Sequence, residues 1–310
     1  MSSFLYFVLP AVGGYALTSM ILLKNPHILH KRKRSAFFSR HISHRGGSGE
    51  RIESTMEAFT NAVEQGTEML ELDCHLTKDG HVVVSHDDNL LRQTGYDVTI
   101  SSLDLKDLPL YKERLEVTFY EGHYSSGADR KIALLEDVFK KFPRMPISVE
   151  IKENNKQLIT KVSDMAKRYN REEITVWASV ESSIMKECLK VNDSMPHSFT
   201  MNRGVLLLLL FYTGLLPFVP LEESLLQFYL LPVYIEQILH GFYLFIYFCV
   251  RLMMRKSLFT HLADRGIQVH LFVCNEDEDI KAAFELGATG VMTDYPCHLT
   301  SYLCRNRSQE

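Results

Sequence analysis

Two hydrophobic periods alternate along most of this chain. The run E-M-L-E-L-D-C-H is apolar and strand-like, and its period of two puts Glu71 and Asp73 on one face. Before it, Thr55 to Gln65 carries apolar residues at 56, 59, 62 and 63, a helical spacing that Gly66 stops. A short strand, Ile42 to His44, opens this unit and ends at Gly46-Gly47. After Asp73, too few residues precede the apolar run Val82 to Val84 for the dozen or so that a parallel crossover needs. Lys78-Asp79-Gly80 is therefore predicted as a tight turn, whose returning arm brings His86 and Asp87 beside Glu71 and Asp73.

The alternation then continues. Helices are predicted over Leu134–Phe142 (ended by Pro143), Leu158–Tyr169, Ser183–Val191, Leu258–Arg265 and Asp277–Leu286. Strands are predicted over Pro146–Lys152, Ile174–Ala178, His197–Met201 (weak), Ile267–Cys274 and Gly290–Thr293, the last ending at Asp294. Residues 88–130 are loop-rich, with a short helix expected over Leu103–Leu108 and a polar, glycine-containing segment over Glu121–Arg130. Glu150 and Lys152 share one face at a strand end, as Glu71 and Asp73 do. Charged residues at successive strand ends, within a strand–helix alternation, imply an α/β fold of the (β/α)₈ TIM-barrel type. The count comes close to eight strands with the hairpin included. An open Rossmann-like sheet is the alternative, but no G-x-G-x-x-G follows a strand.

Two apolar stretches break the pattern. Phe4 to Leu23 is twenty residues without a charge, enough at about 1.5 Å per residue to cross a hydrocarbon core of about 30 Å. Its basic cluster (Lys24, Lys31, Arg32, Lys33, Arg34) lies behind it, unlike the charge of a cleaved signal peptide. Residues 1–24 are therefore read as a transmembrane signal anchor, a shallow interfacial helix being the alternative, and 25–39 as a basic linker. The positive-inside rule places the basic flank, and everything attached to it, in the cytosol. The second stretch, 205–250, holds Gly214, Pro217 and Pro220 in its first half and Glu236, Gln237 and His240 in its second. It is expected to be a hydrophobic, membrane-associated insert, dipping into the same membrane beside the barrel mouth, against the alternative of a buried helix pair. The barrel domain is bounded at 40–303, leaving 304–310 as a polar tail.

Charge and cysteine content narrow the class. Lys plus Arg number 34 against 38 Asp plus Glu, a net charge of −4, which argues against a protein that coats nucleic acid. Six dispersed cysteines without a C-x-x-C pair fit buried or incidental thiols in a reducing compartment. No obligate protein partner is evident.

Read together, H-R-G, E-S-T, E-L-D, V-V-S-H-D, E-I-K and V-M-T-D-Y-P, in that order, resemble the glycerophosphodiester phosphodiesterase domain family. The N-terminal anchor and the L-L-L-F-Y-T-G-L-L-P-F-V-P segment resemble its membrane-anchored mammalian lysophospholipase D branch. The resemblance implies that His44 and His86 are the general acid–base pair, and that Glu71, Asp73 and Glu150 are ligands of a divalent cation, Ca²⁺ or Mg²⁺. It further implies that Arg45 and Lys152 attend the substrate phosphate, with Glu53 and Phe272 supporting. The substrate so implied is a lysophospholipid in an endoplasmic reticulum or perinuclear membrane. Hydrolysis of water-soluble glycerophosphodiesters and a non-catalytic lipid sensor are the rival readings. Two departures from the family pattern stand out: Ser54 where E-N-T is usual, and Phe272 where tryptophan is usual. Neither alters the acid, the base or the ligands.

Overall fold

The computed structural model describes residues 2–230 and 251–307. Its strands in chain order are β1 (His41–Ser43), β2 (Met69–Leu76), β3 (Val82–Val84), β4 (Arg114–Glu116), β5 (Tyr124–Ser126), β6 (Ala133–Leu134), β7 (Ile147–Ile151), β8 (Thr175–Ala178), β9 (Leu225–Tyr229), β10 (Gln268–Phe272) and β11 (Gly290–Thr293). The helices are α1 (Ser2–Lys24), α2 (Met56–Glu64), α3 (Leu91–Thr94), α4 (Leu135–Lys141), α5 (Lys156–Arg168), α6 (Ser182–Val191), α7 (Met201–Tyr212), α8 (Lys256–Asp264), α9 (Asp277–Glu285) and α10 (Pro296–Arg307).

Parallel pairing runs from β9 through β10, β11, β1, β2 and β7 to β8. Trp177 of β8 pairs in parallel with His197, and Ser198 with Leu225 of β9, so the extended segment at 197–198 joins the two ends. Among the described residues, eight parallel segments thus close a barrel, the architecture expected from the alternation. Alternation along β2 sorts its side chains. Leu70, Leu72 and Cys74 pack outward with Phe59 of α2 and Leu158 of α5, while Met69 joins Ile42, Val176, Leu225 and Met292 inside the barrel. Glu71 and Asp73 therefore face inward above an apolar plug.

Several expectations are revised. The hairpin forms as expected, with β2 antiparallel to β3 around the left-handed Gly80 (φ 83°), but β3 pairs onward to β6 and lies outside the ring. The missing ring member is β9, which sits within the apolar stretch 205–250, so the first half of that stretch supplies α7 and a barrel strand. Its apolar L-L-Q-F-Y lacks the alternation that marks half-exposed strands, because a barrel strand is covered on both faces. The rest of the stretch, 231–250, lies outside the described residues, as do 308–310 of the expected tail, while α10 carries its helix through Arg307. The 197–201 strand is only the bridge at His197 and Ser198, because Met201 already begins α7. Leu103–Leu108 holds a 3₁₀ turn, Leu105–Asp107, rather than a helix.

Among the described residues, one helix, over Tyr6–Lys24, is long and apolar enough to cross a membrane. Most of it is exposed, and its second half docks on the turn after α7: Tyr15 Oη donates to Thr213 O at 2.6 Å and Ser19 Oγ to Gly214 O at 2.7 Å. The following basic segment packs on the barrel as well, Lys33 Nζ donating to Glu223 O at 2.8 Å.

Candidate active site

The site is assembled where β1, β2 and β7 end. H-R-G-G leaves β1 through three consecutive left-handed residues, Arg45 (φ 49°), Gly46 (φ 80°) and Gly47 (φ 88°). A Cβ at Gly46 would lie 2.7 Å from the Phe59 ring, and one at Gly47 2.7 Å from Pro296, so the turn needs both glycines. It turns the Arg45 N–H onto Glu71 Oε2 at 3.0 Å. On the neighbouring strands, register pairs Asp73 with Glu150, and ligand oxygens of Glu71, Asp73 and Glu150 all lie within 4.8 Å of one another.

Three carboxylates that close repel. Burial, then Asp73 and Glu150, push Glu71 well above the usual carboxylate range. Burial and Asp73 raise Glu150 to about 7. Asp73 is buried too, but Lys152, His86 and Arg45 hold it down to about 2. Lys152 Nζ is 2.8 Å from Asp73 Oδ1, yet neither buried Asp73 oxygen has an aligned hydrogen-bond donor. An all-oxygen donor set whose Asp73 oxygens lack aligned donors fits a hard divalent cation.

Each histidine has its own carboxylate. His44 Nδ1 lies 2.7 Å from Asp294 Oδ1, and the fully buried Asp294 also accepts from Ser48 Oγ at 2.5 Å and Asn275 Nδ2 at 2.9 Å. Burial works against its charge, but His44 and these donors hold Asp294 below its usual range. His86 is delivered by the hairpin, Ser85 N donating to Asp73 O at 3.0 Å, and its Nδ1 lies 2.6 Å from Asp87 Oδ1. Burial lowers the His86 pKa against the pull of Asp87.

Behind these groups, Glu53 is fully buried and accepts from Arg45 Nη1 at 3.3 Å, Arg92 Nη2 at 2.6 Å and Gln93 Nε2 at 2.6 Å. Burial favours its protonated form, yet Arg45 and Arg92 keep its pKa below normal. Thr118, between β4 and β5, accepts from Arg45 Nη1 at 3.0 Å. Beside it the Phe119 ring lies 5.7 Å from His44 and 5.9 Å from Tyr229, and Tyr229 lies 4.3 Å from Phe272.

The structure brings His44, Arg45, Glu71, Asp73, His86, Glu150, Lys152 and Phe272 to one cavity of about 430 Å³, with Glu53 one layer behind. Sequence reasoning did not include Asp294, Asp87, Arg92 and Thr118 among the site residues. The D of V-M-T-D-Y-P and of H-D were visible signals; Arg92 and Thr118 had none.

The chain matches the Glycerophosphoryl diester phosphodiesterase family over residues 44–298. It is 49% identical to human lysophospholipase D GDPD3, covering 98% of this chain and 97% of that protein. It is 48% identical to human lysophospholipase D GDPD1, covering 96% of each. Among solved structures, the phosphodiesterase domain of a Mycobacterium tuberculosis protein superposes with a TM-score of 0.68 at 16% identity, covering 86% of this chain and 99% of that one. An Oleispira antarctica phosphodiesterase, solved with the product sn-glycerol-3-phosphate, superposes with a TM-score of 0.60 at 17% identity, covering 86% and 97%.

Proposed function

Because the chain belongs to the glycerophosphoryl diester phosphodiesterase family and is a phosphoric diester hydrolase, we propose that it is a metal-dependent lysophospholipase D. It converts lysophosphatidylcholine, lysophosphatidylethanolamine and N-acyl lysophosphatidylethanolamine to lysophosphatidic acid and the free head group. The observation that carries this reading is the three-carboxylate cluster, set in one cavity with two carboxylate-paired histidines.

Glu71, Asp73 and Glu150 would hold the cation, Ca²⁺ or Mg²⁺. When bound, it neutralises charge on the phosphoryl oxygens. Arg45 and Lys152 bind the same anionic phosphate and orient it. His44, aligned by Asp294, takes the proton of the nucleophile as its oxygen bonds to phosphorus: water gives lysophosphatidic acid directly, whereas the free glycerol hydroxyl gives a cyclic phosphate that a water molecule then opens to lysophosphatidic acid. The bond from phosphorus to the head-group oxygen breaks, and His86, aligned by Asp87, supplies that oxygen with a proton. Glu53 fixes Arg45, and Phe272 walls the cavity beside His44.

The apolar α1 and its basic flank support a membrane location with the barrel in the cytosol, and the family resemblance alone points to the endoplasmic reticulum or perinuclear membrane. Membrane association of the 205–250 stretch belongs to the same reading.

Product analysis of the purified full chain tests it, using long-chain lysophosphatidylcholine and glycerophosphocholine with added Mg²⁺ or Ca²⁺. Lysophosphatidic acid plus choline is expected, and His86→Ala should abolish turnover while keeping cation binding. Glycerol 3-phosphate from the soluble diester alone would favour a glycerophosphodiesterase, and no turnover of either a sensor.

A further inference from the structure

The catalytic cavity has a second, apolar arm. From the charged ends of β1, β2 and β7 it continues past the ends of β8, the 197–198 segment and β9, to the space between the first turns of α6 and α7. Ile184, Phe199, Met201, Gly204 and Leu226 line this arm, and Val180, 56% exposed, stands at its rim.

Gly204 is the informative residue. It lies in the first turns of a twelve-residue helix, where glycine weakens the structure relative to alanine. Close packing does not demand it: its φ is not left-handed, and among the described residues an added Cβ would find only Met253 Cε within 4 Å, at 3.8 Å. What the missing side chain does is leave the arm open. The same helix exposes Leu206 and Leu209, and the turn after it holds α1 through Tyr15 and Ser19. One helix therefore borders the catalytic cavity and also carries an apolar outer surface tied to the N-terminal helix.

We propose that this arm binds the single acyl chain of the substrate, with Gly204, Ile184 and Val180 setting how long a chain it accepts. The proposal rests on the lysophospholipid reading and adds to it where the tail lies. An acyl chain is the fitting occupant because the arm begins at the phosphate-binding end and carries Ile184, Phe199, Met201 and Leu226, among the polar Ser179, Glu181, Ser198 and Thr200 of the strand ends. Its helix then leads to the apolar surface from which a lipid would come.

The test compares kcat/KM for lysophosphatidylcholines of increasing chain length, using the full chain and the variants Gly204→Leu, Ile184→Trp and Val180→Asp. Val180→Asp, at the exposed rim, keeps the test informative should a buried variant fold poorly. The wild type should prefer longer chains, and the variants should lower the ratio of long-chain to short-chain kcat/KM about tenfold, the loss expected when one or two methylene groups lose their burial. Proportional losses at every length, unchanged ratios, or a shift in head-group preference at fixed chain length would overturn the assignment. A wild type that cleaves lysophospholipids without regard to length sinks the tail site alone. A wild type that cleaves glycerophosphocholine but no lysophospholipid sinks the underlying reading as well.

Discussion

Arg92 donates to Glu53 at 2.6 Å while its Nε donates to Asp87 at 2.7 Å. One guanidinium thus ties the partner of Arg45 to the partner of His86, linking the phosphate-binding side to the proton-transfer side. Arg92 is a positioning residue on this geometry, since it reaches the reacting groups only through two carboxylates. Arg92→Met should cut kcat about 10–100-fold, the range for groups that orient ligands from behind, with a smaller change in KM. Because Asp87 would lose its fixed orientation, the pH profile should move on the limb set by His86. Arg92→Lys should restore little, since one ammonium cannot serve both carboxylates in the bidentate manner. Unchanged kcat, or an unchanged pH profile with reduced kcat, would count against this role.

Removing the cation should leave the carboxylate cluster repelling itself. Chelation of the purified full chain is expected to abolish activity and lower Tm. Adding Mg²⁺ or Ca²⁺ should restore both, with a gain of about 2.7 kcal/mol at a cation concentration near one hundred times Kd. Glu150→Gln removes one of the like charges, so its cation-free form should be more stable than the cation-free wild type at neutral pH, while its response to cation weakens. Titration followed by thermal melting distinguishes these outcomes, and an equal cation response in both proteins would rule the cluster out as the binding site.

How much of this was legible beforehand depended on whether a local pattern existed. The inward pairing of Glu71 with Asp73 followed from period two on β2, and the delivery of His86 followed from a turn too short for anything but a hairpin. Strand β9 was hidden because Leu225 to Tyr229 is covered on both faces and sits next to a leucine-rich helix, so no period separates the two. Arg92 and Thr118 are joined to the site only by tertiary contact, whereas Asp294 was visible as the acidic end of its strand. Arg92 is one of many loop arginines until β3 and α3 are folded, and the short alternation Leu115, Val117, Phe119 around Thr118 marks a strand without saying that it packs against the site.

Ser54 explains one departure from the family pattern in energetic terms. Its φ is 60°, a left-handed conformation that asparagine tolerates better than serine, and its buried Oγ has no hydrogen-bond partner. Its backbone N–H donates to Arg45 O at 2.9 Å, so the strained residue braces the phosphate-binding turn. Ser54→Gly relieves the backbone strain and removes the orphan hydroxyl, and should raise stability by about 1 kcal/mol with kcat little changed. Denaturant unfolding with parallel kinetics checks this; a lower midpoint would mean that the serine makes a compensating interaction.

Buried histidines outside the active site, His41, His261 and His270 among them, should make the fold sensitive to acid. Burial lowers His41 and His261 to about 4 and His270 to about 3, with the Ser39 backbone pulling His270 the other way by less. In the unfolded chain each titrates near about 6.5. As pH falls below that value the unfolded chain takes up protons that the folded chain refuses, so stability present at neutral pH is lost between about 6.5 and about 4. At about 1.4 kcal/mol per pKa unit, each histidine accounts for roughly 3 kcal/mol over that window. His270 is fully buried and neither ring nitrogen has an aligned hydrogen-bond partner, so His270→Leu should cost little at neutral pH and should unfold less readily in acid. Urea unfolding of the two proteins across this pH range measures the difference directly. The variant's stability should fall less steeply, by the uptake of about one proton. Parallel curves would mean that His270 is protonated inside the folded barrel after all, held by the Ser39 backbone.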